Sequence, residues 1–264
     1  MPRTAAALAW VGLVLLYAPL LAVAATSVNA ARQGHAWRGF TLQWYAELFQ
    51  DQDVLEAARN TLLLAGASTA AATVLGTCLA LGLGRFPWPK WFRAGLDVTV
   101  QLPVVTPDII FAAALVVAFR VLRLVSAAFQ PGLLDMILAH VTFQVAFVAL
   151  VVHARLATIG REIEEAARDL YAGTWTLLWR VLLPLLWPGI LAGAMLAFTL
   201  SLDDFVISFF TAGPESNTLP LFIYSSVRRG LSPRMHALST LIFLATVLLV
   251  LGTQRLTTRV KEAS

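Results

Sequence analysis

Charge and cysteine are both scarce in this sequence. Charged side chains make up only 13% of the residues, about half of the roughly 25% found in soluble domains. The single cysteine, Cys78, excludes an intrachain disulfide and paired-cysteine metal or redox motifs. Because Cys78 lies within an apolar stretch, we expect it to be a small buried side chain. No basic run with interleaved aromatic residues is present, which argues against nucleic acid as a partner.

Lysine is scarcer still. The only lysines are Lys90 and Lys261, and neither follows a glycine. A phosphate-binding loop requires G-x-x-x-x-G-K-[ST], so the chain is not expected to bind ATP by that route or to be an enzyme by itself. His140, His153 and His236 share no metal-ligand spacing. We expect these histidines to be packed and hydrogen-bonded, and we predict neither a metal site nor a bound cofactor.

Apolar residues are abundant instead. They make up 59% of the chain, and the mean hydropathy is +0.77. A membrane-spanning helix needs about 20 mostly apolar residues. The sequence therefore predicts an all-α, polytopic membrane protein, with six transmembrane helices in a single permease domain covering residues 1–264. The predicted spans are about 5–28, 58–84, 96–119, 132–154, 187–210 and 236–254.

The first apolar run follows Arg3, as a signal peptide would. It is longer than the roughly 7–15 residues of a signal-peptide apolar region, and we interpret it as a retained helix. With the N-terminus inside, the inner segments hold more of the 19 lysines and arginines than the outer segments do. This bias predicts a multi-pass cell-membrane protein with both termini in the cytoplasm.

The outer segment 37–50 is rich in aromatic residues at near-helical spacing, including Trp44. Tryptophan and tyrosine favour the membrane–water interface, which predicts an interfacial helix. Two interpretations stay open at this point. Trp44 and its neighbours either anchor the chain at the interface or contact a substrate or a docking protein.

The longest inner segment, about 155–186, separates the fourth and fifth predicted spans. It mixes acidic and basic residues with apolar stripes at helical spacing, which predicts two short helices extending into the cytoplasm. Since helices tend to end before proline, the second helix is predicted to stop at Pro184 and Pro188.

Several motifs carry a resemblance to a known family. The sequence E-A-A at 165–167 followed by V-L-L-P at 181–184 resembles the coupling loop of ABC-importer permeases. L-P-V-V-T-P-D at 102–108, H-V-T-F at 140–143 and F-T-L-S-L-D-D at 198–204 resemble spermidine/putrescine importer permeases of the C type. The resemblance covers roughly residues 37–250 and implies the type I ABC importer permease fold.

The resemblance also implies the partners of the chain. In that family the loop docks on a cytoplasmic ATPase, a role that falls here to Glu165, Ala166, Ala167, Gly173 and Pro184. Two ATPase subunits, which bind ATP and Mg, are expected together with a second, related permease chain. A periplasmic or extracellular substrate-binding protein would deliver the solute, and membrane lipid would surround the spans.

One position departs from the family pattern. The family usually has glycine six residues after the motif glutamate, where the two loop helices turn, and this chain has Tyr171 there. Glycine tolerates turn dihedral angles that tyrosine resists. Either the turn is shifted, or Gly173 serves it.

Three aspartates fall within predicted spans. A charge at the centre of a lone membrane helix costs about 2.5–3.5 kcal/mol on insertion scales, so Asp108, Asp203 and Asp204 are expected to face a cavity or a partner. Pro103 and Pro107 should kink or loosen the helix before Asp108. Fixed negative charge along a pathway favours a cationic solute such as a di- or triamine.

Ser201, Asp204 and Ser208 recur at helical spacing and are predicted to share one face. The predicted substrate pathway therefore comprises Asp108, Ser201, Asp203 and Asp204, together with Trp44. The alternative is that Asp203 and Asp204 brace helices or pair with the partner permease.

Other functions agree less well with the residues. An intramembrane aspartyl protease would resemble Y-D and G-x-G-D motifs, but Asp108 follows Pro107 and Asp203 follows Leu202. A stand-alone channel or secondary transporter has no use for an ATPase-docking loop. Within the importer class, ferric iron, thiamine, phosphonate and 4-aminobutyrate are the alternative solutes.

Overall fold

The computed structural model describes residues 3–31, 36–126, 129–230 and 232–262 of the chain. Within these ranges the regular structure is helical, apart from one isolated antiparallel bridge between Asn29 and Phe40. The predicted all-α class is therefore confirmed for the described residues. The helices are α1 (Arg3–Ser27), α2 (Gln43–Gln50), α3 (Gln52–Arg85), α4 (Lys90–Val105), α5 (Asp108–Arg123), α6 (Leu133–Ala157), α7 (Arg161–Asp169), α8 (Thr174–Thr176), a π-helical turn (Leu177–Leu182), α9 (Leu183–Asp203), α10 (Val206–Thr211), α11 (Leu219–Arg229) and α12 (Pro233–Glu262).

The helices pack as two compact units. The first unit comprises Met1–Glu56 and Phe222–Ser264, and the second comprises Ala57–Leu221. In the first unit, α1 and α2 both pack against α12. The division describes packing alone, so the prediction of a single permease domain stays a prediction.

The core of the second unit forms around α6. Val148 and Val152 of this helix are fully buried between alanines of α3 and apolar residues of α9. On another part of α6, Phe143 packs with Phe119 of α5 and Ile207 of α10. In a membrane, such close packing supplies most of the attraction between helices.

Glycines allow the closest helix contacts in this unit. A Cβ atom added to Gly76 of α3 would lie 2.7 Å from the Cβ of Val148, and one added to Gly193 of α9 would lie 3.3 Å from a Val148 methyl group. Real Cβ atoms essentially never approach within 3.0 Å. Small residues therefore let α3 and α9 approach α6 from two directions.

The number of spans agrees only in part with the prediction. Among the described residues, four helices are long and apolar enough to cross a membrane, and the bent pair α4–α5 would make a fifth. The sixth predicted span, 236–254, overlaps α12, whose described apolar part is Pro233–Leu248. Multi-pass membrane insertion is thus supported, and the count of six stays a prediction.

The third predicted span, 96–119, is not one helix. It breaks between α4 and α5 with a bend of 113°. Pro107 lacks a backbone donor and disfavours helical geometry at the preceding residue, and Thr106 is accordingly extended (φ −74°, ψ 132°). The sequence predicted a kink near Pro103 and Pro107, and in the structure this kink is a sharp turn.

The fifth predicted span, 187–210, does not coincide with a single helix. Helical structure continues through Pro184 and Pro188, from Thr174 to Asp203. The π-helical turn Leu177–Leu182 ends two residues before Pro184 and provides the local widening that accommodates a proline ring. The helix then ends at Asp203, because Asp204 is extended (φ −63°, ψ 124°).

Cys78 was predicted to be buried, and this prediction is wrong. The thiol is free and its residue is exposed on α3. Its neighbours Gly76 and Thr77 are buried, so Cys78 lies just outside the face of α3 that packs within the unit.

Candidate functional site

A cavity of about 320 Å³ lies in the second unit, next to both helix breaks. It is bounded by α4 and α5 on one side, by α6 on another, and by α9 and α10. Its lining combines carboxylates with aromatic rings. The lining residues are Pro103, Asp108, Phe111, Phe143, Phe147, Leu200, Asp203, Asp204, Phe205, Val206 and Ile207.

All three predicted aspartates reach this cavity. Asp108 was predicted to lie mid-span and instead begins α5, directly after the Pro107 break. Asp203 is the last residue of α9, and both Asp108 and Asp203 are exposed. Among the described lining residues there is no lysine or arginine. The cavity therefore carries a concentration of negative charge.

His140 of α6 contacts three of the polar residues near the second break. Its Nδ1 lies 2.7 Å from the Ser201 Oγ, and its Nε2 lies 3.2 Å from the Ser208 Oγ and 3.3 Å from the Asp204 Oδ2. The expectation of a packed, hydrogen-bonded His140 is confirmed. Ser201, Asp204 and Ser208 do not share a continuous helical face as predicted, because the helix ends at Asp203; the imidazole brings them together instead.

Ser201 and Trp44, unlike the three aspartates, are not among the described residues that line the cavity. Ser201 is buried and does not belong to the cavity lining among the described residues. Trp44 lies in the first turn of α2, in the first unit, and its indole Nε1 donates a hydrogen bond of 2.8 Å to the Asn29 carbonyl. Its side chain is buried, as an anchor would be. Roles of Ser201 and Trp44 in the substrate pathway stay predictions.

The predicted cytoplasmic loop contains the expected first helix, α7, and no residue of this helix is buried. Glu165 and Ala166 are exposed, whereas Ala167 is partly buried. The second loop helix is not separate, since it continues from Thr174 into α9 without a stop. Pro184, predicted to end it, is an exposed residue inside the helix.

Tyr171 occupies the turn itself. Its φ is +60°, in the left-handed region, and it follows α7 directly after the helix-ending Leu170. Its N–H bonds to the Arg168 carbonyl at 2.8 Å, and the Ala172 N–H bonds to the Ala167 carbonyl at 3.0 Å. This is the bonding pattern of a Schellman helix ending. The alternatives left open by the sequence are therefore wrong: the turn is not shifted, and Gly173 is extended (φ −67°, ψ 161°).

Two further contacts were not predicted from the sequence. Arg85 at the end of α3 forms an ion pair with Glu164 of α7 and donates a hydrogen bond of 3.0 Å to the Ile159 carbonyl. The other is the His140 cluster. Neither has a local sequence signal, because each joins residues more than 60 positions apart, although H-V-T-F at 140–143 had marked the region.

The chain is similar to known transport proteins. Residues 72–262 match the family described as binding-protein-dependent transport system inner membrane component. The putrescine transport system permease protein PotI of Escherichia coli strain K12 is 40% identical over 234 residues, covering 88% of this chain and 82% of PotI. The spermidine/putrescine transport system permease protein PotC of the same strain is 37% identical, covering 90% of this chain and 88% of PotC.

A solved structure has a similar fold. It is a bacterial alginate ABC transporter in complex with an alginate-pentasaccharide-bound periplasmic protein, and one of its chains superposes with a TM-score of 0.75. The superposition covers 98% of this chain and 94% of that one, at 21% identity. The likeness extends over nearly the whole length of both chains.

Proposed function

The chain belongs to the family of binding-protein-dependent transport system inner membrane components, and on that premise we propose that it forms half of a polyamine pathway. As a multi-pass inner-membrane permease subunit, it would pass the solute across the bilayer while other subunits supply the energy. A binding protein would deliver putrescine or spermidine to its outer side.

The observation that carries the choice of solute is the lining of the cavity. Three carboxylates meet there beside several phenylalanines, with no basic side chain among the described lining residues. A polyamine carries ammonium groups separated by methylene chains. Carboxylates bind ammonium groups through charge-assisted hydrogen bonds, and aromatic rings favour both cations and methylenes. PotI and PotC, named for putrescine and for spermidine/putrescine, point the same way.

The exposed loop around Glu165 supports the proposed ATPase partnership. Its helix α7 buries no residue within the chain, and Glu165 and Ala166 are exposed, which leaves their side of the helix available for a partner. Two ATPase subunits binding ATP and Mg, a second related permease and a substrate-binding protein complete the proposed complex. The alginate transporter, solved with its periplasmic protein, is a precedent for the last of these.

The proposal is tested with the complete importer in proteoliposomes, with ATP inside and the binding protein outside. We expect uptake of radiolabelled putrescine or spermidine that vanadate abolishes. Asp203→Asn should raise the KM about tenfold, the effect of losing one charged hydrogen bond of roughly 1.5 kcal/mol. Asp97→Asn is the matched control, since Asp97 is exposed on α4 and outside the cavity lining.

Uptake of ferric iron, thiamine, phosphonate or 4-aminobutyrate in place of polyamines would overturn the choice of solute. Polyamine uptake that persists without any ATPase subunit would overturn the proposed energy source. An Asp203→Asn variant that behaves like Asp97→Asn would remove Asp203 from the pathway.

A further inference from the structure

A buried polar cluster lies behind the cavity, where four helices meet. His140 and Ser208 are fully buried, and Ser201 is 2% exposed. Ser68 of α3, also fully buried, places its Oγ 3.4 Å from the Ser201 Oγ. Polar groups inside a membrane protein are costly unless they are paired. The cluster therefore needs its internal hydrogen bonds, and these bonds determine where its members lie.

The hydrogen positions in the cluster follow from the chemistry of its groups. An ionised carboxylate only accepts hydrogen bonds, and a neutral imidazole donates from one nitrogen and accepts at the other. The Nε2 of His140 faces the Asp204 Oδ2 at 3.3 Å, so this nitrogen carries the hydrogen. In the neutral imidazole the Nδ1 would then accept from the Ser201 hydroxyl, whose Oγ is 2.7 Å away. The ring thus joins α9 to the carboxylate beyond its end.

The Asp204 carboxylate has further donors on α10. Its Oδ1 accepts the Ile207 N–H at 3.2 Å, and its Oδ2 accepts the Ser208 N–H at 2.8 Å. These N–H groups belong to the first turn of α10 and have no partner within the helix. The carboxylate therefore supplies the acceptors that the interrupted helix lacks. Both of its oxygens are thereby engaged with the protein.

Asp203 has a different environment although it is the adjacent residue. It is exposed at the end of α9, whereas the Asp204 side chain is only 10% exposed. Asp108 is likewise exposed across the cavity. Of the three cavity aspartates, Asp204 is the one held by a buried imidazole and two backbone donors.

We propose that His140 is a positioning residue for the substrate pathway: it fixes the Asp204 carboxylate at the break between α9 and α10 and leaves Asp108 and Asp203 to bind substrate. This inference rests on the proposed function and assigns different tasks to the two adjacent aspartates. Asp204 maintains the shape of the break, and the negatively charged Asp203 carboxylate binds the cationic solute.

Two conservative replacements of the imidazole separate its two nitrogens. His140→Gln carries an amide N–H₂ to about the position of Nε2, next to Asp204. His140→Asn reaches only about as far as Nδ1, next to Ser201. We expect the Gln variant to keep at least half of the maximal uptake rate and the Asn variant to lose at least tenfold, with the KM of each changed less than twofold. Equal activity of the two variants, or a main effect on KM, would overturn the proposal.

A double-mutant cycle tests the pairing directly, because residues in one hydrogen-bond network are not additive. In thermal unfolding of the purified complex, His140→Asn and Asp204→Asn should each lower the midpoint, and the double variant should fall no further than the more severe single one. His140→Asn combined with Asp203→Asn serves as the matched control. That pair should be additive, with Asp203→Asn raising the KM and leaving the midpoint unchanged.

Additive midpoint shifts for His140 and Asp204 would overturn the pairing, as would an Asp204→Asn variant that raises the KM at an unchanged midpoint. The unfolding midpoint requires no solute. If the wild-type complex took up no polyamine, the proposed function would fail while the unfolding cycle still decided the role of His140.

Discussion

Tyr171 has a backbone conformation that suits glycine better than tyrosine. A left-handed φ brings the Cβ of an ordinary residue close to its own backbone, at a cost of roughly 1–2 kcal/mol. The side chain is 97% exposed, so packing within the chain does not repay this cost. The two hydrogen bonds that end α7 hold the residue there.

Replacing Tyr171 with glycine should therefore stabilise the isolated permease chain. We expect the free energy of unfolding to rise by about 1 kcal/mol, measured from the thermal unfolding midpoint of the chain in detergent. Tyr171→Ala is the matched control, because it removes the ring and keeps the Cβ. An alanine variant as stable as the glycine variant would show that the ring, and not the backbone angle, is responsible.

At the scale of helices, local sequence accounts for some features and not for others. The break before Asp108 was foreseeable in kind, since Pro107 restricts its predecessor and cannot donate a hydrogen bond. The break after Asp203 was not foreseeable, because no proline or glycine lies there and the contacts that hold it come from His140, more than 60 residues away. The coupling loop was identified from its motif. Its second helix was predicted to stop at Pro184. That prediction failed because the π-helical turn that accommodates the proline has no sequence signal.

Arg85 connects three helices and should transmit motion of the coupling loop. Its guanidinium joins α3 to Glu164 of α7 and to the carbonyl of Ile159 after α6. We expect Arg85→Gln to lower uptake several-fold while ATP hydrolysis by the complex continues, since the partner would move α7 without moving α3. Arg85→Lys keeps the positive charge, and its uptake rate should lie between those of the wild-type protein and Arg85→Gln. Uptake and hydrolysis falling in proportion would contradict this role.

The close contact of α3 with α6 predicts a difference between two glycines of one helix. Gly76→Ala should destabilise the chain by about 1–3 kcal/mol, the range for overpacked interiors, because the new methyl group would overlap Val148. Gly66→Ala is the control: a Cβ there meets no atom within 4 Å, and alanine improves helix propensity by about 0.5–1 kcal/mol. Unfolding midpoints that move together in the two variants would contradict the packing described for Gly76.

For the whole molecule, orientation in the membrane depends on the loop as well as on the charge bias. A segment that docks on an ATPase would lie in the cytoplasm, and the six predicted crossings would then place both termini there as well. We expect a green fluorescent protein fused to the C-terminus to be fluorescent and alkaline phosphatase fused at the same point to be inactive. The opposite pair of results would contradict the predicted orientation and the count of six spans together.

The exposed position of Cys78 allows the natural chain to be labelled at a single site. It is the only cysteine in the 264 residues, and it faces away from the packed side of α3. In detergent, a membrane-permeant maleimide dye would attach at one known point without any engineered substitution. The rate of that reaction, compared between the free chain and the assembled importer, would report which surface of α3 becomes shielded when the complex forms.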